Sequence, residues 1–132
     1  MKTTLKAGLA GTRAFHVGRE STIGFMGEDA RVYATPMLVR DIEIACRELL
    51  LEHLDPGEDS VGTRVDIEHL APTLEGGDVT IQVKLAELNG RGVVFEVAGK
   101  DKHHAICRGR HARFIVDVAK TKERLAKKRA AG

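Results

Sequence analysis

An α+β fold, with one long helix lying against a meander of at least four antiparallel strands, follows from three features of the sequence. Residues 36–54 place apolar side chains at helical spacing, and from residue 63 the apolar period switches from 3.6 to 2. Turn-forming clusters rich in glycine, proline and asparagine then divide the alternating stretch into separate strands. A chain of 132 residues is one domain long, spanning residues 1–132.

Residues 1–34 are glycine-rich and irregular, with a strand-like stretch at Ala14–Val17 and a polar loop through Gly27, Glu28 and Asp29. Thr35-Pro36 marks a helix start, because threonine caps well and proline is preorganised for the first helical position. The helix is predicted over Pro36–Leu54. Leu38, Ile42, Ala45 and Leu49 form its apolar stripe, widened by Val39, Cys46 and Leu50, and Asp55-Pro56-Gly57 stops it. Thr63, Val65, Ile67 and His69 then alternate with Arg64, Asp66 and Glu68, which predicts a strand with one buried and one polar face. A second strand carries Val79, Ile81, Val83 and Leu85 inward and leads to Asn89-Gly90, a strong hairpin signal. A third strand over Gly92–Gly99, a turn at Gly99–Lys102, a last strand over His104–Asp117 and a helical basic tail over residues 120–132 complete the order. So apolar a helix on so short a chain leaves surface that one sheet does not cover, so a homodimer or a dimer of dimers is expected.

Composition narrows the function classes. An apolar fraction of 42% and a charged fraction of 30% are those of a globular protein, with no apolar run approaching the roughly 20 residues of a membrane span. Leu5–Ala10 is interrupted by Lys6 and Gly8, so no secretory h-region is seen, and a cytoplasmic location is expected. Cys46 and Cys107 lack CxxC spacing and read as packing thiols of a reducing compartment. The net charge of +2 conceals an asymmetry: residues 120–132 hold six Lys/Arg and one acid, leaving 15 basic and 18 acidic residues in the body. Only four Phe and one Tyr accompany the cations, so the stacking platforms of single-strand nucleic-acid binders are missing. His103 and His104 are adjacent, which points them to opposite faces of a strand, and no metal site or phosphate-binding glycine loop is expected.

Three residues carry candidate chemistry. Thr35 sits where the first free N–H groups of a helix favour developing negative charge, an oxyanion site if it does more than cap. Glu43 has Val39, Cys46 and Leu50 as helical neighbours, so it is either a desolvated base or nucleophile, or a stripe-edge residue reaching solvent. His69 ends the inward face of its strand, either as a core histidine or as a partner of that carboxylate.

Ala34-Thr35, Glu43-Ile44-Ala45-Cys46, Leu54-Asp55-Pro56-Gly57-Glu58, Ser60, Gly62-Thr63, His69 with Ala71-Pro72, and His111-Ala112-Arg113 together resemble the hotdog thioesterases related to fluoroacetyl-CoA thioesterase. The resemblance covers Val32–Asp117, about two thirds of the chain, and includes the intervals between Thr35, Glu43 and His69. It implies a hotdog fold and a dimer with sites at the interface. The implied activity is hydrolysis of an acyl-CoA thioester, without a cofactor, by Thr35, Glu43 and His69. Gly62 falls on a family glycine near the thioester, where a missing side chain allows close approach. Gly24–Tyr33 departs from the family segment that closes over the acyl group, so selectivity for a fluorinated acyl group does not carry over, and a short or small polar acyl chain is expected. The CoA phosphates are expected to meet Arg108, Arg110, Arg113 or the basic tail. The competing readings are a non-catalytic acyl-CoA sensor and a hotdog hydratase or dehydratase.

Overall fold

The structure is a computed structural model describing all residues, Met1–Gly132. In chain order the elements are β1 (Ala10–His16), β2 (Thr22–Ile23), β3 (Val32–Tyr33), α1 (Thr35–Leu51), β4 (Glu58–His69), β5 (Asp78–Asn89), β6 (Gly92–Lys100), β7 (Ala105–Asp117) and α2 (Val118–Ala130). Five of the strands form one antiparallel sheet in the order β1-β5-β6-β7-β4, and β2 and β3 make a short separate ribbon. No helix is long and apolar enough to cross a membrane.

Helix α1 lies on one face of this sheet for the reason its periodicity gives. Leu38, Ile42, Ala45, Cys46, Leu49 and Leu50 are all buried, against Val79, Ile81, Leu85, Phe95 and Ile115 of the sheet. Burying each large side chain fully contributes about 1.5–3 kcal/mol, so the helix is held by this face rather than by propensity. The helix ends at Leu51, three residues earlier than its apolar pattern suggests; Leu54 is buried from the following turn instead.

The β5–β6 hairpin shows a one-residue difference from the expected turn. Asn89 pairs with Gly92, so the turn residues are Gly90 and Arg91. Positive φ occurs only at Gly90 (+60°), which fits a tight hairpin turn with glycine at its first central position.

Strand β4 departs further. The expected inward set of Thr63, Val65, Ile67 and His69 is interrupted by a bulge between Gly62 and Arg64, and Thr63 falls on it as an extra residue. Val65 pairs with the buried His111, yet is 45% exposed. The reason is tertiary: β4 is an edge strand bonded only to β7, and α1 does not reach over its whole inner face. Val61 and Phe114 on the opposite face are equally bare.

Candidate active site

Two clusters gather the residues singled out above. The first forms where α1 begins and β4 ends. Thr35 Oγ1 and His69 Nδ1 are joined by a hydrogen bond of 2.8 Å. The helix is capped at Ala34 without a side-chain bond, so the threonine hydroxyl is not consumed in capping and is held by the histidine instead. The Thr35 N–H has no backbone acceptor and Pro36 has none to offer, leaving a free donor at the positive end of α1.

His69 is fixed from several sides. Tyr33 meets its ring edge-on at 6.2 Å between centroids, and the Tyr33 hydroxyl donates to the buried Asp41. Burial lowers the His69 pKa below the usual imidazole value, which keeps the ring neutral at neutral pH. Its Nε2 is buried and has no hydrogen-bond partner. The pair opens on a shallow cleft of about 410 Å³ whose walls include Ile23, Phe25, Tyr33, Pro36 and Leu70. Phe25 stands 83% exposed at its mouth. The loop behind it is clasped by Glu28, which accepts from both Arg19 and Arg31; those bonds, Arg19 first, hold the Glu28 carboxyl down at about 2.

The second cluster surrounds Glu43. Its carboxylate lies on the backbone of Gly62, so closely that a β-carbon there would stand 2.5 Å from Glu43 Oε1. Arg113 Nη1 is 4.0 Å from the same oxygen. The Arg113 guanidinium is buried and fully engaged: Nε donates to Ser60 Oγ (2.8 Å), Nη2 to the Ser60 carbonyl (2.9 Å) and Nη1 to His111 Nε2 (3.1 Å). His111 Nδ1 in turn donates to the Arg64 carbonyl at 2.8 Å. Both His111 bonds are satisfied only by a neutral ring protonated on Nδ1, and burial first, then Arg113, lowers its pKa accordingly.

Several expectations change here. Of the two readings of Glu43 the structure gives the stripe-edge one, its side chain 44% exposed because the flank of α1 that carries it is open; the enclosed acid of the helix is Asp41, whose pKa burial raises. Arg113 is 5% exposed, so it is placed to hold Glu43's surroundings rather than to meet phosphates from solvent. Arg108 and Arg110 lie on the other face of the sheet, paired with Glu68, Glu87 and Glu96. Burial pushes the Cys46 thiol up to about 12 and Cys107 to about 11, which suits packing residues. No three His, Cys, Asp or Glu side chains converge in a group that could hold a metal. Ser60 and His111 entered the sequence reading only as parts of the family resemblance, and Tyr33 and Asp41 were not legible as site residues, their one available signal being an acid one position before the buried Ile42.

The two clusters do not meet within one chain. Thr35 and Glu43 are eight residues apart on α1, about 12 Å along its axis. Gly62 and His69 are separated by about 23 Å of β4.

Comparison with known proteins gives the family of the chain. Residues 17–119 match the fluoroacetyl-CoA-specific thioesterase family. The chain is 30% identical to the fluoroacetyl-CoA thioesterase of Streptantibioticus cattleyicolor, over the whole of both chains. A solved fluoroacetyl-CoA thioesterase superposes with a TM-score of 0.86 at 28% identity, covering 94% of this chain and 97% of the other. A hot-dog-like protein from Thermanaerovibrio acidaminovorans shares the fold, at TM-score 0.84, 24% identity, and 92% and 91% coverage. By sequence and by fold, the chain belongs to the fluoroacetyl-CoA-specific thioesterase family.

Proposed function

We propose that this protein hydrolyses the thioester of a short or small polar acyl-CoA, at a site shared between two copies of the chain. Thr35 and His69 of one copy and Glu43 of the other would form it. The observation that carries the reading is the Thr35–His69 pair, with its unpartnered Nε2, at the free end of α1. A twofold pairing supports it. The edge strand β4 has unpaired backbone groups along one side, bare Val65 on the inner face and an open flank of α1 bearing Glu43. Two such edges related by a twofold axis run antiparallel, which sets the helices of the two copies antiparallel and side by side. The Glu43 of each copy then approaches the helix start of the other.

In this site the thioester carbonyl oxygen faces the Thr35 N–H and the positive end of α1, where the tetrahedral oxyanion is stabilised as it forms. Glu43 supplies the attacking oxygen, either that of a water it deprotonates or its own, in which case the acyl-glutamyl anhydride that forms is opened by water in a second step that releases the acid and restores Glu43. The C–S bond breaks, and the CoA thiolate takes up a proton relayed through His69, giving the free acid and CoA. Neutral His69, bonded to Thr35 on one nitrogen, has the other free for this relay. The two unpaired, buried thiols suit a reducing, cytoplasmic setting.

Complementation tests the shared site. Thr35→Ala and Glu43→Gln should each abolish thiol release from a panel of acyl-CoAs while remaining dimeric by light scattering. Subunits mixed from the two variants should recover about a quarter of wild-type activity, because half the dimers are mixed and each contains one intact site. No recovery would place all three residues in one chain. Wild-type rates no higher than the variants', with acyl-CoA bound tightly by all, would make the protein a sensor.

A further inference from the structure

Acyl-CoA carries phosphates on its nucleotide, and the cleft beside Thr35 and His69 offers no cation to meet them: its walls are apolar or neutral. Of the nearby arginines, Arg31 is held by Glu28, and Arg40 lies 3.5 Å from Asp41. Arg113 is buried, and Arg108 and Arg110 are ion-paired on the other face of the sheet. The densest run of unpaired positive charge is α2, which holds Lys120, Lys122, Arg124, Lys127, Lys128 and Arg129 against the single acid Glu123, whereas other cations without an ion pair, such as Arg64, Lys84 and Lys102, are scattered singly over the sheet and its turns. Nothing in α2 is buried, and nearly all of it lies beyond the family match that ends at residue 119. Lys120, Arg124, Lys127 and Lys128, spaced i, i+4, i+7 and i+8, share one face of the helix.

Within its own chain this face is at the wrong end. Helix α2 springs from Asp117, which pairs with Glu58 at the start of β4, and His69 closes β4 about 36 Å away, farther than a pantetheine arm reaches. Antiparallel pairing of two β4 edges reverses this. With the pairing centred on the strand, the Glu58–Asp117 end of one copy lies beside the His69 end of the other.

We infer that the basic face of α2, Lys120, Arg124, Lys127 and Lys128, binds the phosphates of the CoA nucleotide held in the partner copy's cleft. The inference rests on the shared site proposed above and adds a binding element supplied in trans. Pantetheine then runs along the subunit boundary, and the charges fix the nucleotide end while contributing nothing to the reacting atoms. The role is therefore one of binding, carried by ionic contacts that salt weakens.

The test replaces all four residues by Glu and, in a second variant, by Gln, and measures thiol release from an acyl-CoA and from the same acyl group on pantetheine, which lacks the nucleotide. For acyl-CoA at low salt, KM should rise at least about tenfold with kcat retained, more for Glu than for Gln, and the difference should shrink as salt is added. For acyl-pantetheine, KM should not move. An unchanged KM for acyl-CoA, or an equal rise for both substrates, would overturn the inference while leaving wild-type hydrolysis, and so the proposed function, intact. Mixed dimers assign the chain: Thr35→Ala with normal α2, paired with intact Thr35 and reversed α2, should keep the wild-type KM. A raised KM there would place α2 in cis and refute the trans arrangement. Anionic vesicles or single-stranded DNA competing with acyl-CoA no better than inorganic phosphate is the expected control, and strong selective competition by either would reassign the helix.

Discussion

Replacing Gly62 by Ala is the sharpest probe of Glu43, because the structure states how far the carboxylate must move. The new β-carbon would stand 2.5 Å from Glu43 Oε1 and 3.2 Å from His111 Cε1, where ordinary contact begins at 3.4 Å. The ring is pinned by the Arg64 carbonyl and Arg113, so the carboxylate is what yields, by about 1 Å. A displacement of that size in a reacting group costs on the order of 100-fold in turnover, equivalent to about 2.7 kcal/mol of barrier. Stability should hardly change. The displaced oxygen ends a flexible, half-exposed side chain, Gly62 does not have positive φ, and alanine removes some freedom from the unfolded chain. Measured together, kcat should fall about 100-fold, KM should move little, and the melting temperature should stay within about 4 °C. A variant with wild-type kcat and an intact fold would show that Glu43 is not held against Gly62 during turnover. A large loss of melting temperature with unchanged turnover per folded molecule would make Gly62 a purely structural glycine.

Two further outcomes follow from the polar network and the histidines. Arg113→Met strands the buried Ser60 and His111 without their partner and should cost about 2–4 kcal/mol of stability, with Arg113→Lys restoring little because one ammonium cannot reproduce the three-way fork; a neutral effect in denaturant melts would refute the network. His69 and His111 both bind protons more weakly folded than unfolded, so the unfolded chain takes up protons first as pH falls through the ordinary value of 6.5. Their contribution to stability is therefore complete above that pH and declines below it. Melting temperature should drop between pH 7 and pH 5, and His69→Gln should reduce the slope; an unaltered slope would show that His69 does not titrate in this window.

The sequence alone determined the order of elements from α1 to α2, because helical and strand periodicities are local; in residues 1–34, read as irregular with a strand-like stretch at Ala14–Val17, the structure has β1 over Ala10–His16 and the short strands β2 and β3. The sequence also singled out Thr35, Glu43 and His69 as candidates, since a carboxylate on an apolar flank and a histidine ending an alternating strand are visible without coordinates. Boundaries depended on what surrounded them: Thr35 is the first residue of α1 rather than its cap, and its hydroxyl bonds His69, 34 residues away. Burial followed neighbours rather than pattern. Val65 alternates like a core residue and is bare at a sheet edge, while Asp41 looks like a surface acid and is buried against Tyr33. Arg113 and His111 turned inward because β7 pairs them beside Gly62, where the absent side chain leaves room for Glu43. No local pattern encodes that meeting of strand and helix, nor the separation of the two clusters by about 12 Å of α1. Both arise from register and packing between segments far apart in the chain, which only the tertiary structure decides.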